Sequence, residues 1–560
     1  MTTKQLPLGT SDFKTVIEHN QYYVDKTAMI TEVINGAAVT LIPRPRRFGK
    51  TLNMSMLYHF FSNEVDNRHL FRGLAIENNA EAMTHLGQYP AIHLSFKDVK
   101  FDKYADCMAK FSSLIQRLFL SHKYLKQSSV LDAAEIGQFN RYIEQQVNST
   151  ELSESILLLS QFLSCHHNKP VVVIIDEYDM PINSAYSHGY YEEMVGFLRN
   201  LLSGAFKDNP AVFKGVMTGI LRIARESIFS GLNNIDVCSL ITEDFNYGFG
   251  FTEAETEQLL VAYSLNDKLA DVRAWYNGYN FGGVTIYNPW SILNFVKRRG
   301  DLAPYWLNTS DNALVRDLIA KAPVSVKQEL ETLLSDKNAV VKKPLNEHVA
   351  FRDIHLSEDA VWNFLLFSGY LAYQHKVLEG KRFYAELCIP NLEVETFYED
   401  SVLAWFETGN DSSAMSLPAI LGYLLNGDLD SFSRAFTHFS AETFSYFDVQ
   451  GKQPERFYHA FVLGMLVQLQ QSHTIRSNRE SGFGRYDVCV IPHDKTQAGF
   501  VFEFKAVDEY EALSLEQACE AALKQIGEKN YVTELNASGV EMVHSIAIAF
   551  EGKKSLVRFG

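Results

Sequence analysis

The sequence predicts an α/β protein. It has a parallel sheet at the amino end, a mainly helical middle and a second α/β unit at the carboxyl end. Three observations lead there. Within the first 240 residues, short apolar runs rich in β-branched residues alternate with stretches long enough for crossover helices. From about 241 to 440 the pattern turns helical and aromatic-rich. The last hundred or so residues return to strand-like alternation.

In order, AVTLIP (38–43), AIHLSF (91–96), VVVIID (171–176) and VFKGVMTG (212–219) read as strands buried on both faces, with helices over 51–61 and 151–164 between them. In the middle, WYNGYNF (275–281), IYNPWSIL (286–293) and PYW (304–306) read as packed aromatic turns. HLSEDAVWNFLLFSGYLAYQ (355–374) reads as a helix running into an extended stretch, and KRFYAELCIPN as the return strand of a hairpin. A helix followed by a β-wing is the outline of a winged helix. A helix over 455–470, the strands YDVCVIP and GFVFEFKA, a helix near 512–526 and the strand IAIAF (546–550) complete the chain. The expected domains are 1–240, 241–440 and 441–560.

At 560 residues the chain exceeds a single ordinary core. No run approaches the ~18 apolar residues of a membrane span. The start, MTTKQLPLGTSDF, lacks the apolar stretch of a signal peptide, so a cytoplasmic protein without membrane contact is expected. Six scattered cysteines without a C-x-x-C pair read as free thiols, and Cys165-His166-His167 lacks a second ligand pair at zinc spacing. The net charge of −16 argues against a protein that coats nucleic acid indiscriminately, while leaving room for a local basic surface.

PRRFGKT (45–51) ends as a phosphate-binding loop ends, but counting back from Gly49 puts Arg44 where the pattern G-x-x-x-x-G-K-[ST] has its first glycine. Gly49 allows close backbone approach, Lys50 offers charge to phosphate and the Thr51 hydroxyl is a Mg²⁺ ligand type. Arg46, Arg47 and Phe48 complete the candidate nucleotide-binding loop, and Arg44, Arg46 and Arg47 add positive charge. VVVIIDEYD supplies the acids: Asp176 to hold Mg²⁺ and Glu177 to polarise the attacking water. The plainer reading is a buried strand ending in a solvated turn. Thr218 at the end of the next strand is placed to sense phosphate. Arg222 and Arg225 follow it, as phosphate or partner contacts or as structural ion pairs.

With LPLGTSDF, YYVDKT, PRRFGKTLNMSML, IDEYD, TGILRI, FSGLNN and WYNGYNF…IYNPWSIL on the page, the chain resembles the predicted AAA-type ATPases of bacteria and archaea, often fused to a nuclease-like tail. The likeness runs through nearly the whole chain. In that family the arginine-rich opening of the loop is usual, which accounts for the missing glycine. The resemblance implies a P-loop ATPase sheet, ATP with Mg²⁺ as ligand, and a homo-oligomer in which a neighbour's arginine completes the site.

In GRYDVCVIPHDKTQAGFVFEFK, Asp487 is followed after fifteen residues by Glu503-x-Lys505. Alternation puts Glu503 and Lys505 on one strand face and Phe502 and Phe504 on the other. Two carboxylates and a lysine at one sheet edge suit metal-assisted phosphodiester hydrolysis, with a solvated E-x-K face as the plain alternative. ERFYHAF, SNRESGFGRYD, FVFEFK and EQACEAALKQIGEKNY resemble the PD-(D/E)xK nuclease superfamily, which implies a restriction-endonuclease-like fold. Position by position, the resemblance makes Glu455, Asp487 and Glu503 ligands of Mg²⁺ or Mn²⁺, Lys505 the catalytic lysine and Gln525 a supporting residue. Tyr486 stands where the superfamily has proline. His459 reads as helix packing, and Arg476, Arg479 and Arg485 as phosphate contacts or a charged loop.

The function these readings lead to is an ATP-binding, ATP-hydrolysing protein coupled to a nuclease acting on DNA. Two other classes stay open. One is a nucleotide-gated switch or scaffold whose nuclease-like domain only binds, and the other a P-loop phosphotransferase.

Overall fold

The computed structural model describes residues 4–220, 234–307, 312–335, 338–347, 357–407, 417–443, 462, 465–466, 469, 472–477, 480–481, 484–485, 487–507, 513–529, 531–552 and 554–560. The chain forms two compact units. One comprises 1–312 and 342–394, the other 313–341 and 395–560. The middle region, expected as a single stretch, contributes segments to both.

The first unit is built on a five-stranded sheet of β1 (Val39–Pro43), β2 (Ala91–Ser95), β3 (Val171–Asp176), β4 (Val212–Gly219) and β5 (Ile235–Val237). The order is β2-β3-β4-β1-β5 and every pair is parallel. All residues of β1 and β3 are buried, as a sheet covered on both faces requires. The four expected strands are present; β5, a three-residue edge strand only half-buried, carries no run long enough to stand out. Helix α1 (Phe13–Glu18) is capped by Asp12, whose side chain accepts from the Thr15 N–H. Helix α2 (Met29–Asn35) precedes β1, and α3 (Lys50–Phe61) follows it. The register pairs Ile42 with Thr218 and Ser95 with Asp176, so the carboxyl ends of β1 to β4 share one edge. Open α/β sheets bind ligands at that edge.

The aromatic middle is more ordered than packed turns. Phe251–Thr252, Val284–Tyr287 and Tyr279–Phe281 form a small antiparallel sheet, with helices Glu253–Ala262, Leu269–Tyr276 and Pro289–Lys297 around it. The helix Glu358–Ser368 and the hairpin Ala372–Glu379/Arg382–Cys388 follow as expected, with Val341–Pro344 as a third strand. One element departs from a groove-reading winged helix. Every residue from Val361 to Ser368 is buried, so this helix presents no open face.

In the second unit the strands His473–Ser477, Val488–Pro492, Gly499–Ala506, Val543–Glu551 and Lys554–Phe559 form a sheet in chain order. Only Gly499–Ala506 and Val543–Glu551 run parallel. Helix Leu515–Lys529 covers one face, its Ala518, Cys519 and Ala522 meeting Ala547 and Ala549. On the other face, Phe500, Phe502, Phe504 and Phe550 share a core with Leu424, Phe432 and Phe436 of helices Leu417–Leu425 and Leu429–Thr443. Those helices serve this sheet, because a strand face of phenylalanines needs an apolar cover. The six cysteines are free, and Cys107, Cys238, Cys489 and Cys519 are buried. No helix among the described residues is long and apolar enough to cross a membrane.

Candidate functional site

The loop from β1 to α3 turns on two left-handed residues, Arg47 (φ 68°) and Gly49 (φ 87°). Glycine adopts that conformation freely; arginine needs support. The Arg47 guanidinium lies 4.5 Å from the Trp290 ring centroid. Phe48 is fully buried, 5.0 Å from Tyr279 and 5.1 Å from Phe281 by ring centroids, so its side chain anchors the loop and offers nothing to a ligand. Gly250 (φ 77°) makes this packing possible, since a Cβ there would sit 2.2 Å from Ile286 Cγ2. Arg46 is half-buried, and its carbonyl accepts from Asn288 Nδ2 at 3.4 Å.

Arg44 corrects the expectation that it charges the phosphate site. It is fully buried. Its guanidinium donates to the carbonyls of Pro43 (2.9 Å), Cys238 (2.7 Å), Phe245 (3.3 Å) and Asp244 (3.4 Å), between the rings of Phe249 and Phe281. Burial lowers its pKa to about 10, which leaves it charged at neutral pH. Arg44 therefore bolts the start of the loop to 238–249. Lys50 is buried too, and its Nζ donates to the Arg44 and Pro45 carbonyls, each at 3.1 Å.

Asp176 ends β3 with no solvent exposure. Its Oδ2 accepts from Thr51 Oγ1 at 2.8 Å and from Ser95 Oγ at 3.5 Å. Its Oδ1 is buried without a hydrogen-bond partner among the described residues. Burial, then the neighbouring Glu177, raise its pKa to about 6, against the opposing pull of Thr51 and Lys50. Glu177 is half-buried and left-handed at φ 54°. A non-glycine residue held there at a candidate site is strain with a use. The turn around it is clamped: the Tyr178 N–H donates to the Thr218 carbonyl (3.0 Å), and the Ile220 N–H donates to Asp179 Oδ2 (2.8 Å). At Gly219 a Cβ would meet Asp179 Oδ1 at 2.5 Å, so only glycine admits the clamp. Thr218 Oγ1 donates to the Ile42 carbonyl at 2.9 Å, which turns the expected sensor hydroxyl into the sheet. Arg222 and Arg225 lie outside the described residues.

In the second unit, Val488 pairs with Phe502, and the Phe504 N–H donates to Asp487 Oδ2 at 2.7 Å. Asp487 thereby stands beside Glu503. Glu503 is 2% exposed and accepts from Gln525 Nε2, which also reaches the Tyr531 hydroxyl at 3.2 Å. Lys505 Nζ lies 3.6 Å from Glu503 Oε1. The alternation reading is observed: Phe502 and Phe504 enter the phenylalanine core, while Glu503 faces Gln525 on helix Leu515–Lys529. Asp487, Glu503, Lys505 and Gln525 are brought together. Glu455, His459, Arg479 and Tyr486 lie outside the described residues, as do the side chains of Glu480 and Arg485.

Comparison with known proteins finds a family match for each of the two segments. Residues 7–229 match the predicted AAA-ATPase family. Residues 453–559 match the PD-(D/E)XK nuclease superfamily. An uncharacterized protein in the vnfD 5' region of Azotobacter chroococcum mcd 1 is 27% identical over 576 aligned positions, covering 100% of this chain and 99% of its own length. The two domain families thus stand in the order that the motifs indicate, an AAA-ATPase-like domain before a nuclease-like one.

Within the AAA-ATPase-like segment, the Thr51 hydroxyl and the orphaned oxygen of buried Asp176 fit a hard divalent cation. The Lys50 ammonium, held on two loop carbonyls, fits a phosphate. In the PD-(D/E)XK segment, Asp487 and Glu503 are two oxygen donors of the type Mg²⁺ or Mn²⁺ takes. Ser95 and Asp179 were not singled out from the sequence. A lone serine ending a strand carries no signal, but the second aspartate of D-E-Y-D could have been read as a turn clamp.

Proposed function

We propose that the protein binds ATP with Mg²⁺, hydrolyses it, and uses the cycle to control a metal-dependent nuclease acting on DNA. The observation that carries the reading is Asp176: a buried carboxylate, bonded through one oxygen to Thr51 at the mouth of the phosphate loop and orphaned at the other. Thr51 and Asp176 would hold Mg²⁺, which would supply charge neutralisation to the bound phosphates. Lys50 would exchange its two carbonyl contacts for phosphate oxygens. Glu177 would orient the attacking water and accept its proton, its direction set by the left-handed turn.

In the second unit Asp487 and Glu503 would hold the nuclease's Mg²⁺ or Mn²⁺, which supplies an activated water at neutral pH. Lys505 would orient that water, and Gln525 would hold Glu503 in place. Action on DNA, a cytoplasmic setting and assembly into a homo-oligomer with an arginine contributed in trans belong to the same proposal.

The test is plasmid cleavage with Mg²⁺ or Mn²⁺, with and without ATP, for the wild type and Lys505→Ala. Cleavage by the wild type alone is expected. A wild type that cuts no nucleic acid, or a Lys505→Ala protein that cuts equally, removes the nuclease reading. The net charge of −16 favours a second reading, a nucleotide-gated scaffold. Tight ATP binding without turnover, unchanged by Glu177→Gln, would select it.

A further inference from the structure

The hairpin Ala372–Glu379/Arg382–Cys388 leaves residues 374–383 entirely exposed. Its two-residue turn has Gly380 at φ 61°, the left-handed geometry that a tight hairpin takes at its first turn position. Two features at the tip stand out. Leu378 and Phe383 are cross-strand partners, 58% and 48% exposed, while Val377 pairs with Tyr384 on the opposite face. The Leu378/Phe383 pair gives the tip a small contiguous apolar face.

The tip is also basic within an acidic chain. Lys381 and Arg382 stand against a single acid, Glu379, and that acid is paired to Lys342 of the third strand of this sheet. Lys376 Nζ lies 5.2 Å from the Phe383 ring centroid. Glu386 lies further down the hairpin and is half-buried. Cations around an apolar wedge match a polyanion whose stacked interior an aromatic or leucine side chain can meet. The helix before the hairpin is buried, so contact through a recognition helix is closed and the hairpin must act alone.

The root is held against the phosphate loop. Gly369 (φ 90°) ends the buried helix so close to Pro45 that a Cβ there would lie 2.8 Å from the proline Cβ. Lys376 Nζ donates to the Ile241 carbonyl at 3.4 Å, just past the strand that flanks β1.

We propose that this hairpin is a docking wing for duplex DNA, with its root positioned to pass occupancy to the phosphate loop. The choice of DNA rests on the nuclease reading; the surface itself rests on the hairpin's exposure and charge. In consequence, duplex binding and ATP turnover are coupled. Removing wing cations lowers duplex affinity and its salt dependence without touching the basal ATPase.

The experiment uses the full chain carrying Asp487→Asn, so that cleavage does not consume the probe, and a labelled DNA duplex of about 30 base pairs followed by fluorescence anisotropy across a salt series. With the hairpin otherwise intact, binding that falls steeply with salt is expected. Adding Lys381→Ala and Arg382→Ala should weaken it by about tenfold or more and flatten the log–log salt slope by about 2, one per lost phosphate contact. Leu378→Ser with Phe383→Ser should weaken binding at unchanged slope. Both pairs should retain basal ATP hydrolysis and lose its stimulation by duplex. Equal binding by all three proteins, or no duplex binding at all, overturns the proposal and assigns the surface to a protein partner. Wing-dependent binding in a protein whose Asp487 parent never cuts supports the wing and sinks the nuclease. Plasmid cleavage that needs Lys505 and ignores the wing substitutions does the reverse.

Discussion

At the scale of single residues, the site turns on three buried groups, Asp176, Asp179 and Arg44. Asp176 has a raised pKa of about 6, whereas an exposed aspartate stays near 3.8. Between those values the folded protein keeps a proton that the unfolded chain has lost, so this group's contribution to stability falls as pH rises across that window. Under the proposed function the site runs the other way, since only the carboxylate would bind Mg²⁺. Mg²⁺–ATP affinity is expected to drop as pH falls through about 6, while Asp176→Asn binds weakly throughout; isothermal titration across pH 5–8 reads both. Asp179 holds Glu177 by accepting from the Ile220 N–H. Asp179→Ala should cut kcat for ATP hydrolysis by about tenfold to a hundredfold with little change in KM, and Asp179→Asn, which keeps an acceptor oxygen, should restore most of it. Arg44→Gly recreates the standard loop pattern, yet it strips four backbone carbonyls of their donor. It should destabilise the fold by about 3 kcal/mol or more and weaken ATP binding, as urea unfolding and titration would read. A one-dimensional motif marks Arg44 as a deviation from consensus. Its function as a bolt depends on Cys238 and Phe245, about two hundred residues away, whose approach no spacing rule contains.

At the scale of elements, the strands were legible and their covers were not. β1 to β4 announce themselves because a strand buried on both faces must be apolar throughout. The alternation in GFVFEFKA separates phenylalanines from Glu503 and Lys505 for an equally local reason, the two-residue pleat. What covers the phenylalanine face is a tertiary matter, and helices Leu417–Leu425 and Leu429–Thr443 do so from a region read as part of the middle. Phe436→Ala should therefore destabilise the nuclease-like unit by about 3–5 kcal/mol, seen as a lower urea midpoint for that unit's transition. Mg²⁺–ATP binding should survive, because among the described residues the core cluster that holds Phe436 contains no residue of the candidate phosphate loop. The hairpin beyond residue 370 was also visible in sequence. Burial of the helix before it was not, because WNFLLFSGYL reads equally well as an amphipathic surface helix with a wide apolar stripe or as one enclosed on all sides.

At the scale of the whole molecule, the sequence by itself determined the α/β class, and it marked the candidate phosphate loop, the acidic strand end and the candidate acid–lysine set of the nuclease-like segment. Each of these is encoded over a few neighbouring residues, where periodicity, glycine and charge act directly on the backbone. The division of labour across the chain was decided by tertiary structure. Two compact units draw on alternating segments, with 342–394 joining the unit of the ATPase-like sheet and 313–341 joining the unit of the nuclease-like one. Tertiary structure also turned Thr218 into the sheet and Phe48 into a core, and set Glu177 in a left-handed turn clamped by Asp179. Hydrophobic burial is non-directional and takes whichever apolar partner the folded chain brings near, so the local pattern states that a face must be covered without naming its cover. Buried polar groups sharpen the same point. Arg44 needs carbonyls and Asp176 needs a hydroxyl or a cation, and only the assembled fold says which ones they meet.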